Sequence, residues 1–306
     1  MGLEDLFNTV SLNALKKESE KLTELYKKRG AGSLPSLDSD LKRLAYLSVR
    51  FPATYAVMKK VFEELGLRAN VSACFSLLDV GAGPGTATLA AFDTAIPLKK
   101  ALLIEQDPGF IKLAKKVLED YPKEFICQDA QKISFPSSDI VVASYLINEL
   151  TNKGAFVDKL WDATVQYLLL VEPGTPASFQ CLKEIREHLI QKGAHLLAPC
   201  PHNKPCPLPS PDWCHFGARL ERSSWHHKIK GGALNYEDEK YFYLLFSKNK
   251  YPTCGSRVLK RPLKGSGFVK IQFCSTHEIV TETATKKNKD TYSLFKKLEW
   301  GEGVEQ

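Results

Sequence analysis

Phe75-Ser76-Leu77-Leu78-Asp79-Val80-Gly81-Ala82-Gly83-Pro84-Gly85 decides how this 306-residue chain folds. A short apolar run reads as a strand, the glycines allow a sharp turn, and a helical pattern resumes near Thr86. Outward from it, apolar runs at 101–104, 140–143 and 167–171 alternate with helical stretches near 86–93, 108–119, 154–165 and 177–192. Such alternation predicts a mostly parallel sheet covered on both faces. Residues 10–29, 40–50 and 52–65 carry helical periodicity, with Pro52 suited to a first helical turn and a Gly/Ser/Pro linker over 30–39. Past residue 240 come strands without helices, at 241–247, 268–274 and 279–285, expected as an antiparallel edge on the parallel sheet. The expected architecture is α/β. Residues 1–70 form a helical N-terminal cap, 71–199 a ligand-binding sheet domain, and 200–306 a cysteine-rich loop with a basic, β-rich part completing the sheet.

The spacing of the turn limits its ligand. A pyrophosphate-binding turn reads G-x-G-x-x-G, whereas this one reads G-x-G-x-G with Asp79 two residues ahead. Glu105 ends the second strand, where a carboxylate can accept both hydroxyls of a ribose, and Asp129 follows a third strand. A bare glycine turn with two surface acids is the plainer alternative, but three elements in register on successive βα units argue against it. The set resembles motif I of the class I S-adenosylmethionine-dependent methyltransferases, a Rossmann-like fold. The resemblance implies S-adenosylmethionine as cofactor. Asp79, Gly81, Gly83 and Gly85 would face its amino-acid end, Glu105 the ribose and Asp129 the adenine amine.

Methyl transfer does not follow from cofactor binding. The fourth strand opens at Asp139 and ends in Ser144-Tyr145-Leu146-Ile147-Asn148-Glu149-Leu150. The Asn/Asp-Pro-Pro-aromatic signature of amino-methylating members is missing. Pro199-Cys200 is similar to the dipeptide of cytosine-carbon methyltransferases but lies beyond a later helix, among other cysteines. Asn148 and Glu149 either face a substrate pocket or cap the next helix, and no catalytic residue is named.

Eight cysteines fall into two populations. Cys74, Cys127 and Cys181 stand alone and read as free thiols. Cys200, Cys206 and Cys214 share a proline-rich loop at C-x5-C-x7-C, which has little packing of its own and would be ordered by a metal. A fourth thiolate is expected from Cys274 at the end of an apolar strand, with Cys254 as rival. Structural zinc favours closer ligand pairs, so the wide gaps and all-thiol set suit a 4Fe-4S cluster better, zinc being the alternative and free thiols the plainest reading.

Charge is segregated. Residues 1–199 carry 24 Lys+Arg against 24 Asp+Glu, and residues 200–306 carry 18 against 11, the whole excess of +7. Arg219, Arg222, Lys228 and Lys230, interleaved with Trp225, Tyr236, Tyr241 and Tyr243, suggest phosphate contacts and base stacking on RNA; the alternative is a solvated face, with Tyr241 and Tyr243 in the core. No apolar run approaches a membrane span, and the acidic start Glu4-Asp5 argues against a secretory signal or an Arg-rich presequence, so the expected location is cytoplasmic.

Cys200-Pro201-His202, Cys206-Pro207 and Asp212-Trp213-Cys214-His215-Phe216, followed by Lys230-Gly231-Gly232 and Tyr236-Glu237-Asp238-Glu239-Lys240, closely resemble the methyltransferase-like family associated with the mitochondrial small ribosomal subunit and its bacterial relatives. Arg50-Phe51-Pro52-Ala53-Thr54-Tyr55-Ala56 and Val171-Glu172-Pro173-Gly174-Thr175-Pro176 match it too, so the likeness covers nearly the whole chain. It implies binding to the small subunit and its ribosomal RNA, a role in assembly or translation, and a four-cysteine iron–sulfur cluster whose late-strand ligand maps to Cys274. The competing functions are an active ribosomal-RNA methyltransferase, and a small-molecule methyltransferase with a structural zinc, which the charge segregation disfavours.

Overall fold

The computed structural model describes residues 3–29, 37–69, 71, 75–222, 224–231 and 234–305. Cys74 and most of the linker read over 30–39 lie outside them. Five parallel strands, β1 (Phe75–Val80), β2 (Leu98–Glu105), β3 (Lys123–Cys127), β4 (Ser138–Ser144) and β5 (Thr164–Pro173), run in the order β3-β2-β1-β4-β5. The centre is apolar because both faces are covered: Ile140–Ala143 on β4 and Tyr167–Val171 on β5 are wholly buried.

The sheet then reverses. β8 (Tyr236–Ser247) lies antiparallel to β5, while β6 (His195–Ala198) and β7 (Phe216–Glu221) pair with the two halves of its other edge. β7 and β8 thus extend the sheet begun by β1–β5, and one core runs through both parts. The helices start where short polar side chains or prolines satisfy their first turns. Ser39 caps α2 (Asp40–Val49), Asp107 caps α5 (Pro108–Val117), Asn152 caps α6 (Lys153–Ala163) and Thr175 caps α7 (Pro176–Gln191). Pro52 sits in the first turn of α3 (Phe51–Arg68). With α1 (Leu12–Arg29), α2 and α3 form the cap, and Leu15, Leu22, Leu44 and Leu47 share a buried cluster there with Phe110 of α5. α4 (Thr86–Phe92) follows the glycine turn.

Two expectations fail here. The strands at 268–274 and 279–285 do not join the parallel sheet. β11 (Phe268–Ser275) and β12 (Ile279–Thr285) form a hairpin in a second sheet with β9 (Ser256–Val258), β10 (Leu263–Lys264) and β13 (Gly303–Val304). The reason is periodicity. Val269, Ile271 and Phe273 are buried and alternate with Lys270 and Gln272, the pattern of a sheet with one covered face. Nor is the C-terminal third free of helices: it contains α8 (Ser224–Lys230) and α9 (Lys289–Lys297). α9 shows only Phe295 as a fully buried side chain, a stripe too narrow to read as periodicity.

Candidate functional site

The glycine turn opens a cleft of about 390 Å³ at the carboxyl ends of β1, β2 and β4, where strand order reverses. Gly81 and Gly83 line it with φ of +70° and +53°, left-handed values that favour glycine. A Cβ on Gly81 would lie 2.9 Å from the Leu146 side chain, whereas one on Gly83 would meet nothing within 4 Å and would stand in the cleft. Glu105 Oε2 accepts from Gly83 N at 2.8 Å and Oε1 from Asp107 N at 2.8 Å, which fixes the carboxylate against the turn. Burial raises its pKa. Asp129 lines the same cleft.

Asp79 and Gly85 do not line it. Asp79 is buried behind the turn, where Oδ2 accepts from Thr88 N at 3.2 Å and Thr88 Oγ1 at 2.7 Å, pinning α4 to the end of β1. Burial pushes its carboxyl up to about 6. Gly85 allows Leu118 to pack close, 2.9 Å from where a Cβ would be.

Several lining residues carry no motif. Gln106, Gln128 and Gln131 come from loops after β2 and β3, and Tyr46 comes from the cap. The cap is held over the cleft by Arg43, whose Nε donates to Asp107 Oδ2 at 2.8 Å. Four carboxylates line the cleft and, among the described residues, no Lys or Arg does. That field suits a cation and opposes a phosphate.

The end of β4 answers the question left at Asn148 and Glu149. Asn148 turns inward: its Nδ2 donates to Glu172 Oε2 at 2.6 Å and to Ser178 Oγ at 2.8 Å. Glu172 is buried, accepts from Ile147 N at 2.6 Å as well, and is pushed up to about 8 by burial. Glu149 faces the cleft and touches solvent, while protein on its other sides and neighbouring Glu105 push it up to about 7. Between strand and loop, Tyr145 holds φ at +57°, an uncommon value outside glycine, with a buried hydroxyl that has no hydrogen-bond partner among the described residues.

The second candidate site is a small apolar cavity of about 20 Å³ between the sheets. Cys200, Cys206 and Cys214, from the loop joining β6 to β7, line it with Cys274 of β11; Cys254, equally buried, does not. Burial, reinforced by neighbouring thiols, holds Cys214 well above the usual thiol range and pushes Cys274 up to about 12, so a metal would have to displace protons here. As placed, no group of three or more His, Cys, Asp or Glu among the described residues is arranged to hold a single metal ion. His202 Nε2 stands 3.8 Å from Cys274 Sγ, and burial lowers its pKa.

Two arginines line the cavity, and neither belongs to the metal site expected from sequence. Arg257 donates from Nε to Pro199 O at 2.8 Å, from Nη1 to Gly301 O at 2.9 Å and from Nη2 to Glu64 at 2.6 Å, joining both sheets to α3. Arg186 sits on the buried face of α7 with Phe179, Leu182 and Leu189. An arginine inside an apolar helical stripe is a legible anomaly.

The basic third is largely self-paired. Arg219 meets Asp238 at 2.9 Å, Lys230 meets Glu237 at 2.7 Å, and Arg222 Nη1 donates to Gly231 O at 2.7 Å. Tyr241 and Tyr243 are core residues, whereas Tyr236 is exposed beneath Arg219. A groove of about 350 Å³ beside them gathers Lys60, Arg219, Arg261 and Lys264 against Trp300.

Comparison with known proteins places this geometry. The profile of the family described as mitochondrial small ribosomal subunit Rsm22 matches residues 40–305. The human mitochondrial ribosome assembly protein METTL17 is 27% identical over 297 residues, covering 85% of this chain and 61% of that protein. A mitochondrial Rsm22-cox11 tandem protein of Schizosaccharomyces pombe is 23% identical, covering 86% of this chain and 43% of the relative. The chain therefore spans between about two fifths and three fifths of these relatives. Among solved structures, the magnesium protoporphyrin IX methyltransferase of Synechocystis with bound S-adenosylhomocysteine aligns with a TM-score of 0.42 at 14% identity, over 76% of this chain and 95% of that one. These findings correct the expected cytoplasmic location: the family and both relatives are mitochondrial by description, and the acidic N-terminal residues were a poor guide. With residues 40–305 matched from the cap through the second sheet, the chain belongs to the Rsm22 family of the mitochondrial small ribosomal subunit.

Proposed function

We propose that this protein binds S-adenosylmethionine in the glycine-turn cleft and acts with the small ribosomal subunit in its assembly or in translation. The observation that carries the cofactor reading is Gly83. Its missing side chain leaves room in a carboxylate-lined cleft, its N–H is held by Glu105, and the cleft volume falls in the range of small-molecule sites. Glu105 can accept from ribose hydroxyls, Asp129 can accept from the adenine amine, and the acidic lining favours a sulfonium over a phosphate. Asp79 would act from behind, by holding the turn. The partner reading rests on family membership and on the basic groove beside Trp300, whose Lys60 and Lys264 suit a phosphate backbone.

The cysteine cavity extends the reading: Cys200, Cys206, Cys214 and Cys274 hold a 4Fe-4S cluster. Four thiols lining one cavity supply the donor set that a four-cysteine cluster takes. Bound there, it supplies a cross-link and a one-electron centre. The chain's own residues do the rest: the loop brings three thiols, β11 the fourth, and the apolar walls exclude water.

One preparation tests the functional reading. Chain purified from mitochondria should carry small-subunit ribosomal RNA and proteins, and the association should weaken steeply as salt rises. Recovery free of small-subunit components at low salt would defeat the partner assignment. A ribosomal-RNA methyl group that disappears with the protein would instead make it an active methyltransferase.

A further inference from the structure

Arg186 is 2% exposed, and its charge meets no carboxylate among the described residues. Its Nη2 donates to His202 O at 2.8 Å and Lys204 O at 2.7 Å, both in the turn between Cys200 and Cys206. Nε and Nη1 are buried and have no hydrogen-bond partner among the described residues. A desolvated guanidinium with two idle donors is costly, and folds retain one where an anion offsets it. Arg257, on the same cavity, has no such deficit: each of its nitrogens is engaged and Glu64 balances its charge. The difference marks the thiol side of the cavity as the place where Arg186 expects negative charge.

Resting on the reading of Cys200, Cys206, Cys214 and Cys274 as cluster ligands, we propose that Arg186 positions and tunes the cluster. Nη2 holds the 200–206 turn in the shape that presents two ligands. Nε and Nη1 donate to cysteinyl or cluster sulfur. A cluster on four thiolates is anionic and gains one more negative charge on one-electron reduction, so a fixed cation and N–H···S bonds favour the reduced state. The turn's other polar residues bring no buried fixed cation to the cavity: Asn203 Oδ1 accepts from Leu196 N at 3.3 Å, and His202 Nε2 stands 3.8 Å from Cys274 Sγ. Lys204 is exposed and its Nζ is directed to His277 Nδ1 at 2.9 Å.

The test uses the full chain prepared without oxygen and titrated with dithionite as the electron donor. Arg186→Gln should keep its iron but reduce less readily. At the wild-type midpoint its oxidised-to-reduced ratio should rise at least tenfold, equivalent to 59 mV for one electron. Arg186→Lys, which keeps the charge with fewer donors, should fall between. In unmutated chain labelled with ¹⁵N in its arginine guanidinium groups, pulsed electron paramagnetic resonance of the reduced cluster should detect nitrogen coupling. Iron-free wild-type chain would sink both the cluster and this role. Iron-loaded wild type without nitrogen coupling, or variants with full iron and an unchanged midpoint, would sink the Arg186 role alone. Iron loss in Arg186→Gln with a wild-type midpoint in Arg186→Lys would reduce Arg186 to its two carbonyl contacts, and would overturn the tuning.

Discussion

The glycine-turn cleft and the cysteine cavity are opposite kinds of candidate site. The cleft is open and acidic, and the cap, the glycine turn and the loops after β2, β3 and β4 line it. The cavity is small and apolar, and its four thiols come from a loop and from a strand of another sheet. A cleft made of backbone at strand ends is shaped by the fold itself, so its ligand need only fit. A cavity made of thiols on a loop is held by side chains from elsewhere, Arg186 and Arg257 among them, and a bound group would add to that order. The two sites should therefore respond differently to mutation: losing a ligand should unfold the cavity's surroundings and only empty the cleft.

The largest expected effect is at the cavity. Cys214→Ser or Cys274→Ser should abolish iron binding, from about four irons per chain in the wild type. Amide exchange should accelerate across residues 200–221 while β1 and β2 keep their protection. Cys254→Ser should leave the iron in place, because that thiol does not line the cavity. Iron lost only in Cys254→Ser would move the fourth ligand, and uniform loss of protection throughout the chain would erase the contrast between the sites.

Next comes the turn. Gly83→Val should remove S-adenosylmethionine binding in calorimetry with thermal unfolding still cooperative, since the new side chain enters open cleft rather than packed core. Gly81→Val should cost stability as well, because its side chain collides with Leu146. Left-handed backbone adds ~1–2 kcal/mol of strain in each. Full affinity in Gly83→Val would remove the cofactor from the cleft.

Glu105→Ala should weaken cofactor binding by ~1–3 kcal/mol, the value of hydrogen bonds accepted by a charged group. Unchanged affinity would leave Glu105 as a brace for the turn only.

The smallest effect concerns pH. Glu149 has a pKa raised to about 7. A sulfonium favours the ionised carboxylate, so S-adenosylmethionine affinity should rise severalfold from pH 6 to pH 8. S-adenosylhomocysteine, without the sulfonium charge, should show a weaker trend, and Glu149→Gln should flatten the difference. Equal slopes for both ligands would place Glu149 away from the methyl end.

What could be read from residues in order was what depends on neighbours in order. The strand–turn–helix at 75–92 announces itself because apolar strand, left-handed turn and helix start are consecutive, and the parallel sheet follows from apolar runs between helices. The cap helices and their caps were equally local. Tertiary structure alone decided which late strands left the first sheet, that Asp79 stands behind the turn while Asn148 faces inward, and that Arg186 and Arg257 flank four thiols. Those outcomes depend on pairing partners and burial between residues far apart in the chain. The alternation of Val269, Ile271 and Phe273 declared a one-faced sheet but not its location. Periodicity reports which face is covered, and only packing reports what covers it.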